Sequence, residues 1–431
     1  MTILNNNNFT LTSAKIIVCT IFSLFAITTN IAQSEVRDIS DIEVSSPKPY
    51  RSEGAGYNEI NIDDLPVFKF KKGGSSDRLN ALIIKVSNKG GGVIQIPADT
   101  YEFFQIEVKS NVHLRIAKNT IIKFPLSSTR TKGEKSFFMI GRLEDEGRIK
   151  NVSIVGEGNA QNRPKFILRQ IDLKHRRVFS MGSVHNLLIE NFTIDDELTF
   201  GSSIAFNLQK NGDNNSYRAK DVTVTNVSMT GADQGYGLAQ TNVGENILLK
   251  NLVCEGGMTC RIEAHTGRKY NVGLDNIVIQ NVLSKSGKAA VLLQPHSVIN
   301  GRVLVDGAKS IGSAWVVFLK EGFVAKESKR RARGEFRDSK MSNLSMEYSN
   351  STAVLSQKNI KYVPKELKKF LGKKVEKDNK KKESEVGVHG PSVAPIFYNL
   401  KSYTVELPTE DEIKVSGEDI DLRKQKILVI K

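Results

Sequence analysis

The chain has 431 residues, 39% hydrophobic and 25% charged, a balance that excludes a disordered or fibrous protein and leaves room for one large domain or two smaller ones. Its formal charge of +15 bears on partners rather than on fold. Three cysteines exclude a disulfide framework, and with six scattered histidines they argue against a structural zinc site.

The first 32 residues read as a targeting segment: a polar start, Lys15, then the apolar run IIVCTIFSLFAI and small or polar residues through Ala32. A signal peptide cleaved near Ala32 is expected, with the mature chain secreted, periplasmic or at the cell surface, and no later window is long and apolar enough to span a bilayer. For an exported protein the positive charge points to an acidic polysaccharide rather than to nucleic acid, and nothing suggests more than a monomer. Cys254 and Cys260 remain after cleavage; a bridge and a pair of buried thiols are both open.

Residues 33–60 form an N-terminal extension. The stretch SSDRLNALIIKVSNKGGGVIQIPADTYEF then predicts an amphipathic helix from Asp77 to about Ser87, a glycine turn, and a strand that opens a first coil, the helix serving as a cap. Further along, a unit recurs: HNLLIENFTI at 185, KDVTVTNVSM at 220, ENILLKNLVC at 245 and DNIVIQNVLS at 275, each with apolar residues at period two and an Asn at the same place. Those residues are Asn191, Asn226, Asn251 and Asn281, and their steps of 35, 25 and 30 suit coils of a parallel β-helix with variable loops better than propeller blades. Asn tolerates the left-handed corner such a coil needs. A second run follows each unit: SSIAFNLQ, GYGLAQT, TCRIEAHT, AAVLLQPHS and AWVVFLKEG. The expected fold is therefore all-β, a right-handed parallel β-helix over 61–355 with an N-terminal capping helix.

Beyond the repeats lie the basic run KESKRRARGEFR, a Lys-rich insertion or linker over 356–390 that contains VPKELKKFLGKKV as a short helix, and a segment over 391–431 whose runs SYTVEL and KILVIK pack on the solenoid or cover its groove.

Stacking the second runs yields a polar column of Gln240, His265 and His296, with Leu238, Glu263 and Gln294 two residues earlier on the same face. Ala239, Cys260, Ile262, Ala264, Val291 and Leu293 would face inward. Carboxylate, imidazoles and amide on adjacent rungs form an acid/base constellation, and a metal site on Glu263, His265 and His296 is the weaker alternative because that spacing has no recognised ligand pattern. Arg261, Arg268, Lys269 and Arg302 lie beside or near the column, with Arg169, His175, Arg176 and Arg177 in an earlier coil; such forks suit sulfated or carboxylated sugars, and Tyr236 could stack on a sugar ring.

The opening helix, glycine run and P-x-x-T-Y segment resemble the pectin-lyase-like β-helix superfamily. The motifs GYGLAQTN, TCRIEAHTG and LLQPHS resemble a narrower group, the iota-carrageenases of glycoside hydrolase family 82, β-helix enzymes that cut β-1,4 linkages of a sulfated galactan with inversion. That family carries a Gln, then Glu-x-Asp on the next coil, then a His one coil further; Gln240, Glu263 and His296 match. The resemblance implies Glu263 as general acid, Gln240 holding the water and His296 supporting the site. His265 stands where the family has its Asp, so the base would be an imidazole, whose ordinary pKa near 6.5 permits proton abstraction from water. Substrate contacts are expected from Arg261, Arg268, Lys269, Arg302, Tyr236, Gln294 and Arg177. No cofactor is required, while a bound calcium, sodium or chloride ion is left open. Two other functions fit the same fold: a lyase acting on a uronate polymer by β-elimination, for which IDDE at 194–197 is the nearest acidic cluster, and a non-catalytic β-helix that binds an anionic polysaccharide. A polygalacturonase is disfavoured because that family's paired Asp motifs and Arg-Ile-Lys signature are absent.

Overall fold

The computed structural model of the chain describes residues 55–125, 135–143, 147–168, 176–211, 215–324, 333–372 and 387–430. The expected signal segment, most of the N-terminal extension, Arg169 and His175 fall outside these residues.

The repeat units become rungs of two long parallel sheets. One sheet contains Ile149–Gly156, Val184–Asp195, Lys220–Thr230, Gly244–Glu255, Leu274–Lys285, Val303–Ile311 and Glu335–Tyr348 in spatial order, each strand pairing in parallel with the equivalent strand of the next coil. The second runs build the other sheet, in the order Arg176–Met181, Ile204–Phe206, Gly237–Thr241, Met258–Glu263, Ala289–Gln294 and Trp315–Leu319. Between the sheets lies a continuous core of Val, Ile, Leu and Phe, with Phe138, Phe166, Phe179 and Phe192 in ring contact across successive coils. Each such ring is fully buried and contributes roughly 2–3 kcal/mol of transfer free energy. The architecture is the expected right-handed parallel β-helix.

The long strands of the first sheet bend at the repeated asparagines. Asn191, Asn226, Asn251 and Asn281 have φ of 67°, 56°, 52° and 51°, the left-handed region that Asn tolerates better than other side chains. Asn251 Nδ2 donates to Asn226 Oδ1 at 3.0 Å, and Asn226 Nδ2 to Glu190 at 3.2 Å, so the corner is stitched from coil to coil. A second ladder runs five residues earlier through Asn111, Asn151 and Asn186, and again through Asp221, Asn246 and Asn276, every member with positive φ and linked by side-chain bonds of 2.7–3.2 Å. The spacing Asn-x4-Asn was present in HNLLIEN and DNIVIQN, but a single repeated Asn per unit had sufficed to set the period.

The helix over Ser76–Asn88 forms as expected within a residue at each end, capped by Ser75, and buries Leu79, Ile83 and Val86. At the other end the solenoid continues past 355. Ile396–Asn399 and Ile427–Ile430 add two more parallel rungs to the second sheet, and Tyr403–Glu406 and Lys414–Gly417 pair with Glu335–Tyr348 in the first. The C-terminal segment is therefore part of the stack; its short strands, interrupted by long turns, had hidden the repeat. VPKELKKFLGKKV forms a 3-10 turn over Lys365–Phe370, and Leu367, Val363 and Phe370 join Trp315, Phe318 and Phe397 in a separate apolar cluster. Cys254 and Cys260 are free and buried, and burial pushes the Cys254 thiol up to about 12 and raises that of Cys260.

Candidate active site

The strand carrying TCRIEAHT stops at Glu263, two residues short of His265. Its neighbours stop within one residue of the same level, Gly237–Thr241 before Asn242 and Ala289–Gln294 before Pro295. Pro295 has no N–H with which to continue the ladder, and His296 behind it takes a left-handed φ of 53°. Ala239, Cys260, Ile262, Ala264, Val291 and Leu293 face inward and are inaccessible, as expected. At the strand start, Gly237 (φ 147°) lets the next coil approach, since a Cβ there would stand 1.9 Å from the Met258 carbonyl oxygen.

The register differs from the expected column. Gln240 is level with Arg261 and Leu292, not with His265. Glu263 is level with Gln294, and one residue beyond the pairs Thr241–Ile262 and Leu293–Leu319 this row meets Asn242 on one side and Lys320 on the other. Leu238 is buried in the core and has no groove position. The residue spacing within the motifs was right, but the turns between runs differ in length, so aligning the motifs by their ends displaced Gln240 by four residues, from Arg261 to His265, while Glu263 and Gln294 kept the expected register.

The sheet still brings Gln240 to Glu263, because a side chain reaches diagonally to the next rung. Gln240 Nε2 donates to Glu263 Oε1 at 2.9 Å, while Arg261 Nη2 donates to Glu263 Oε2 at 2.8 Å. Arg261 also donates through Nη1 to the Gly235 carbonyl and lies over the Tyr236 ring at 5.2 Å. It is thus already engaged on three sides and acts as a holder of Glu263 rather than as an open fork, and one face of Tyr236 is covered by it. Asn242 continues the network, accepting from Gln240 at 3.4 Å and donating to Asn207 at 3.0 Å. On the far side Lys320 Nζ donates to Gln294 Oε1 at 2.8 Å. Asn242 and Lys320 had escaped the sequence reading, Asn242 because it follows the expected strand and Lys320 because it closes an apolar run, WVVFLK, with no other polar member.

Electrostatics follow from this packing. Glu263 is 5% exposed; burial raises its carboxyl, but Arg261, His296 and Lys320 outweigh that and hold it down at about 2. His296 is 7% exposed, and neither ring nitrogen has a hydrogen-bond partner among the described residues. Burial lowers its pKa to about 4, against the opposing pull of Glu263. His265 is exposed and sits edge-on to His296 with ring centroids 5.2 Å apart. Partial desolvation of the ring against its neighbours, with Arg268, holds it below its ordinary value although its edge is open to solvent, leaving both imidazoles neutral near pH 7. The backbone turns at His265, whose N–H donates to the Glu263 carbonyl at 2.7 Å, so the extended i to i+2 separation of a strand is not realised between these two residues.

Arg268 and Lys269 lie on the 3-10 turn Gly267–Tyr270 directly after the site, Arg268 partly buried and Lys269 exposed. Arg177 is the second residue of the earlier rung Arg176–Met181, separated from Met258–Glu263 by two intervening strands, and donates to the Ser202 carbonyl at 2.9 Å. Arg302 is displaced from the groove altogether. It is 1% exposed and donates to Asn276 Oδ1 at 2.7 Å, terminating the second asparagine ladder on the first sheet. Its position just before a strand of that sheet, in GRVLVDG, put it near the column in sequence only. No group of three or more His, Cys, Asp or Glu side chains among the described residues could hold a metal ion.

These features define a right-handed parallel β-helix with a carboxylate, two neutral imidazoles and several cations gathered at one end of the strands of one sheet. Within that class the chain is related in sequence to the iota-carrageenases. It is 34% identical over 278 residues to the iota-carrageenase of Zobellia galactanivorans, covering 63% of this chain and 52% of that one. Against the iota-carrageenase of Alteromonas macleodii it is 33% identical over 293 residues, covering 65% and 57%. The chain thus spans little more than half the length of these curated relatives. A solved iota-carrageenase in complex with iota-carrageenan fragments shares the fold with a TM-score of 0.74 at 23% identity, over 90% of this chain and 95% of that one. A family 82 iota-carrageenase from A. fortis, solved in the absence of chloride ions, superposes with a TM-score of 0.75 at 24% identity, over 89% and 94%. No protein-family model matches the chain.

Proposed function

We propose that the protein is a glycoside hydrolase that cleaves internal β-1,4 linkages of a sulfated galactan of the iota-carrageenan type. The observation that carries this reading is Glu263, fixed from both sides by Gln240 and Arg261, with the neutral imidazoles of His265 and His296 at the same strand ends. The sequence relationship to enzymes named iota-carrageenase supports the substrate.

In this reading Glu263 protonates the leaving glycosidic oxygen, Gln240 holds the attacking water and His265 takes the proton from it, giving inversion. His265 below its ordinary pKa has its lone pair available at neutral pH. Glu263 must gain a proton that it does not hold in the free chain. A bound polyanion supplies the means: its negative charge offsets Arg261 and Lys320 and its bulk excludes water, both of which raise a carboxyl pKa. Hydrolysis of this kind needs no organic cofactor. The leader-like N-terminus and the basic charge suit an exported enzyme that meets its polymer outside the cell, acting as a monomer.

The test is reducing-end release from iota-carrageenan by the chain lacking residues 1–32, with Glu263→Gln in parallel. Release that disappears in the variant supports the reading. Absence of release despite binding would instead indicate a carbohydrate-binding β-helix, and a product absorbing in the near ultraviolet from a uronate polymer would indicate elimination.

A further inference from the structure

Three buried side-chain amides, Asn207, Asn242 and Gln240, run in a line from the preceding rung to Glu263. The direction of this line is fixed at its far end. Asn242 Nδ2 donates to the Phe206 carbonyl at 3.2 Å and to Asn207 Oδ1 at 3.0 Å. A backbone carbonyl can only accept, so the nitrogen of the Asn242 amide faces Phe206 and its oxygen is left for Gln240. Gln240 Nε2 accordingly donates one hydrogen to Asn242 Oδ1 at 3.4 Å and the other to Glu263 Oε1 at 2.9 Å. Both hydrogens of this amide are thus in use, and Gln240 Oε1, to which no group among the described residues donates, is its remaining acceptor.

That orientation decides what Gln240 can do for a water. An attacking water needs its lone pair for the carbon, gives one hydrogen to the base and can give the other to a carbonyl oxygen. An amide turned over would present Nε2 instead, and its N–H would tie up the lone pair. Glu263 by itself prevents this only while ionised, because a carboxylate accepts and never donates. Once it carries the proton of an acid, its O–H can equally donate to a turned-over Gln240, which diverts that proton from the leaving oxygen. The Phe206 carbonyl has no second state of this kind, so the bond that it fixes through Asn242 is the same whether Glu263 is protonated or not.

We propose that Asn242 is a positioning residue that keeps the Gln240 carbonyl oxygen available to the attacking water when Glu263 is protonated. The inference rests on the hydrolase reading above and adds to it the group that keeps the proton of the acid and the lone pair of the water free at the same moment. Asn242 is 2% exposed and acts through Gln240 rather than on the sugar.

The orientation is read without turnover. Glu263→Gln gives this position a donor and an acceptor, as the protonated acid has, and NMR of nitrogen-labelled glutamine side chains reports the Gln240 amide, assigned by its loss in Gln240→Ala. Glu263→Gln is expected to show one pair of Gln240 signals, and adding Asn242→Leu should split or broaden them. Adding Asn242→Asp, which keeps an acceptor towards Gln240, should restore the single pair. A single pair with Asn242→Leu, or two pairs with Asn242 intact, would overturn the proposal; Asn242→Ala carries the same test if the leucine variant does not fold. With Glu263 intact, Asn242→Leu is expected to lower kcat on iota-carrageenan about tenfold, the weight of one hydrogen bond, at unchanged KM, and to cost nothing further in the Gln240→Ala background. Equal losses in both backgrounds would mark a structural role, and a raised KM at steady kcat a binding one; either removes the positioning role. A chain that hydrolyses nothing would remove the hydrolase reading, while the spectra still decide how Gln240 is held.

Discussion

Gln240 and Glu263 stand on adjacent rungs but not level with each other, and their 2.9 Å hydrogen bond crosses the sheet diagonally. Arg261, which is level with Gln240, takes the other carboxylate oxygen. The carboxylate is therefore oriented by two donors fixed to one rigid sheet, the arrangement a positioned acid needs.

Replacing the holder should move the acid. Arg261→Gln removes the nearest cation, so the Glu263 pKa rises from about 2 and the protonated acid persists to higher pH. The limb of the kcat/KM profile on which Glu263 loses its proton should shift upward in pH, with reducing-end release as the assay. An unmoved profile would show that Arg261 does not control this group.

The imidazole at 265 is open to a direct exchange of base. His265→Ala should lower kcat by about 10²–10⁴, the usual contribution of a general base, whereas His265→Asp should keep much of the activity and move the base limb to lower pH. Equal activity of His265→Ala and the parent would transfer the role to another group, His296 first, since it lies 5.2 Å away by ring centroids with both nitrogens unpartnered.

Buried histidines also make stability depend on pH. His113 and His296 are held at about 4, below the ordinary 6.5, so the folded chain binds fewer protons than the unfolded chain between these values. Their stabilising contribution is complete above pH 6.5 and is lost as the pH falls towards 4. Urea unfolding at pH 7.5 and 5 should differ by a few kcal/mol, on the order of 1–2 for each group. His113→Asn, which keeps a polar partner for Ser153 Oγ, should shrink the difference; a drop of the same size in this variant would exonerate His113.

The corner asparagines carry both a bond and a backbone strain. Asn251→Ala loses the 3.0 Å bond to Asn226 and puts an alanine at φ 52°, a cost of about 2 kcal/mol by thermal or urea unfolding, while Asn251→Gly should cost less because the backbone is relieved. If the two variants were equally unstable, the ladder bond alone would account for the loss.

The repeat itself determined the β-helix. Period-two apolar runs and a recurring Asn specify strands and left-handed corners through local sterics, and those act within a few residues. The same local rules set the inward faces of the second runs, such as Ala239, Cys260 and Ile262, and singled out Gln240, Glu263, His265 and His296. What only the tertiary structure decided was which of these meet. Register between coils depends on the length and path of the turns, and a displacement by an even number of residues, four for Gln240, keeps the apolar side chains inside while changing the polar neighbours. Nothing in the period could therefore distinguish Gln240 beside Arg261 from Gln240 beside His265, place Arg302 in the wall instead of the groove, or bring Lys320 at the end of a rung and Lys358 on a 3-10 turn outside the repeats to one pocket.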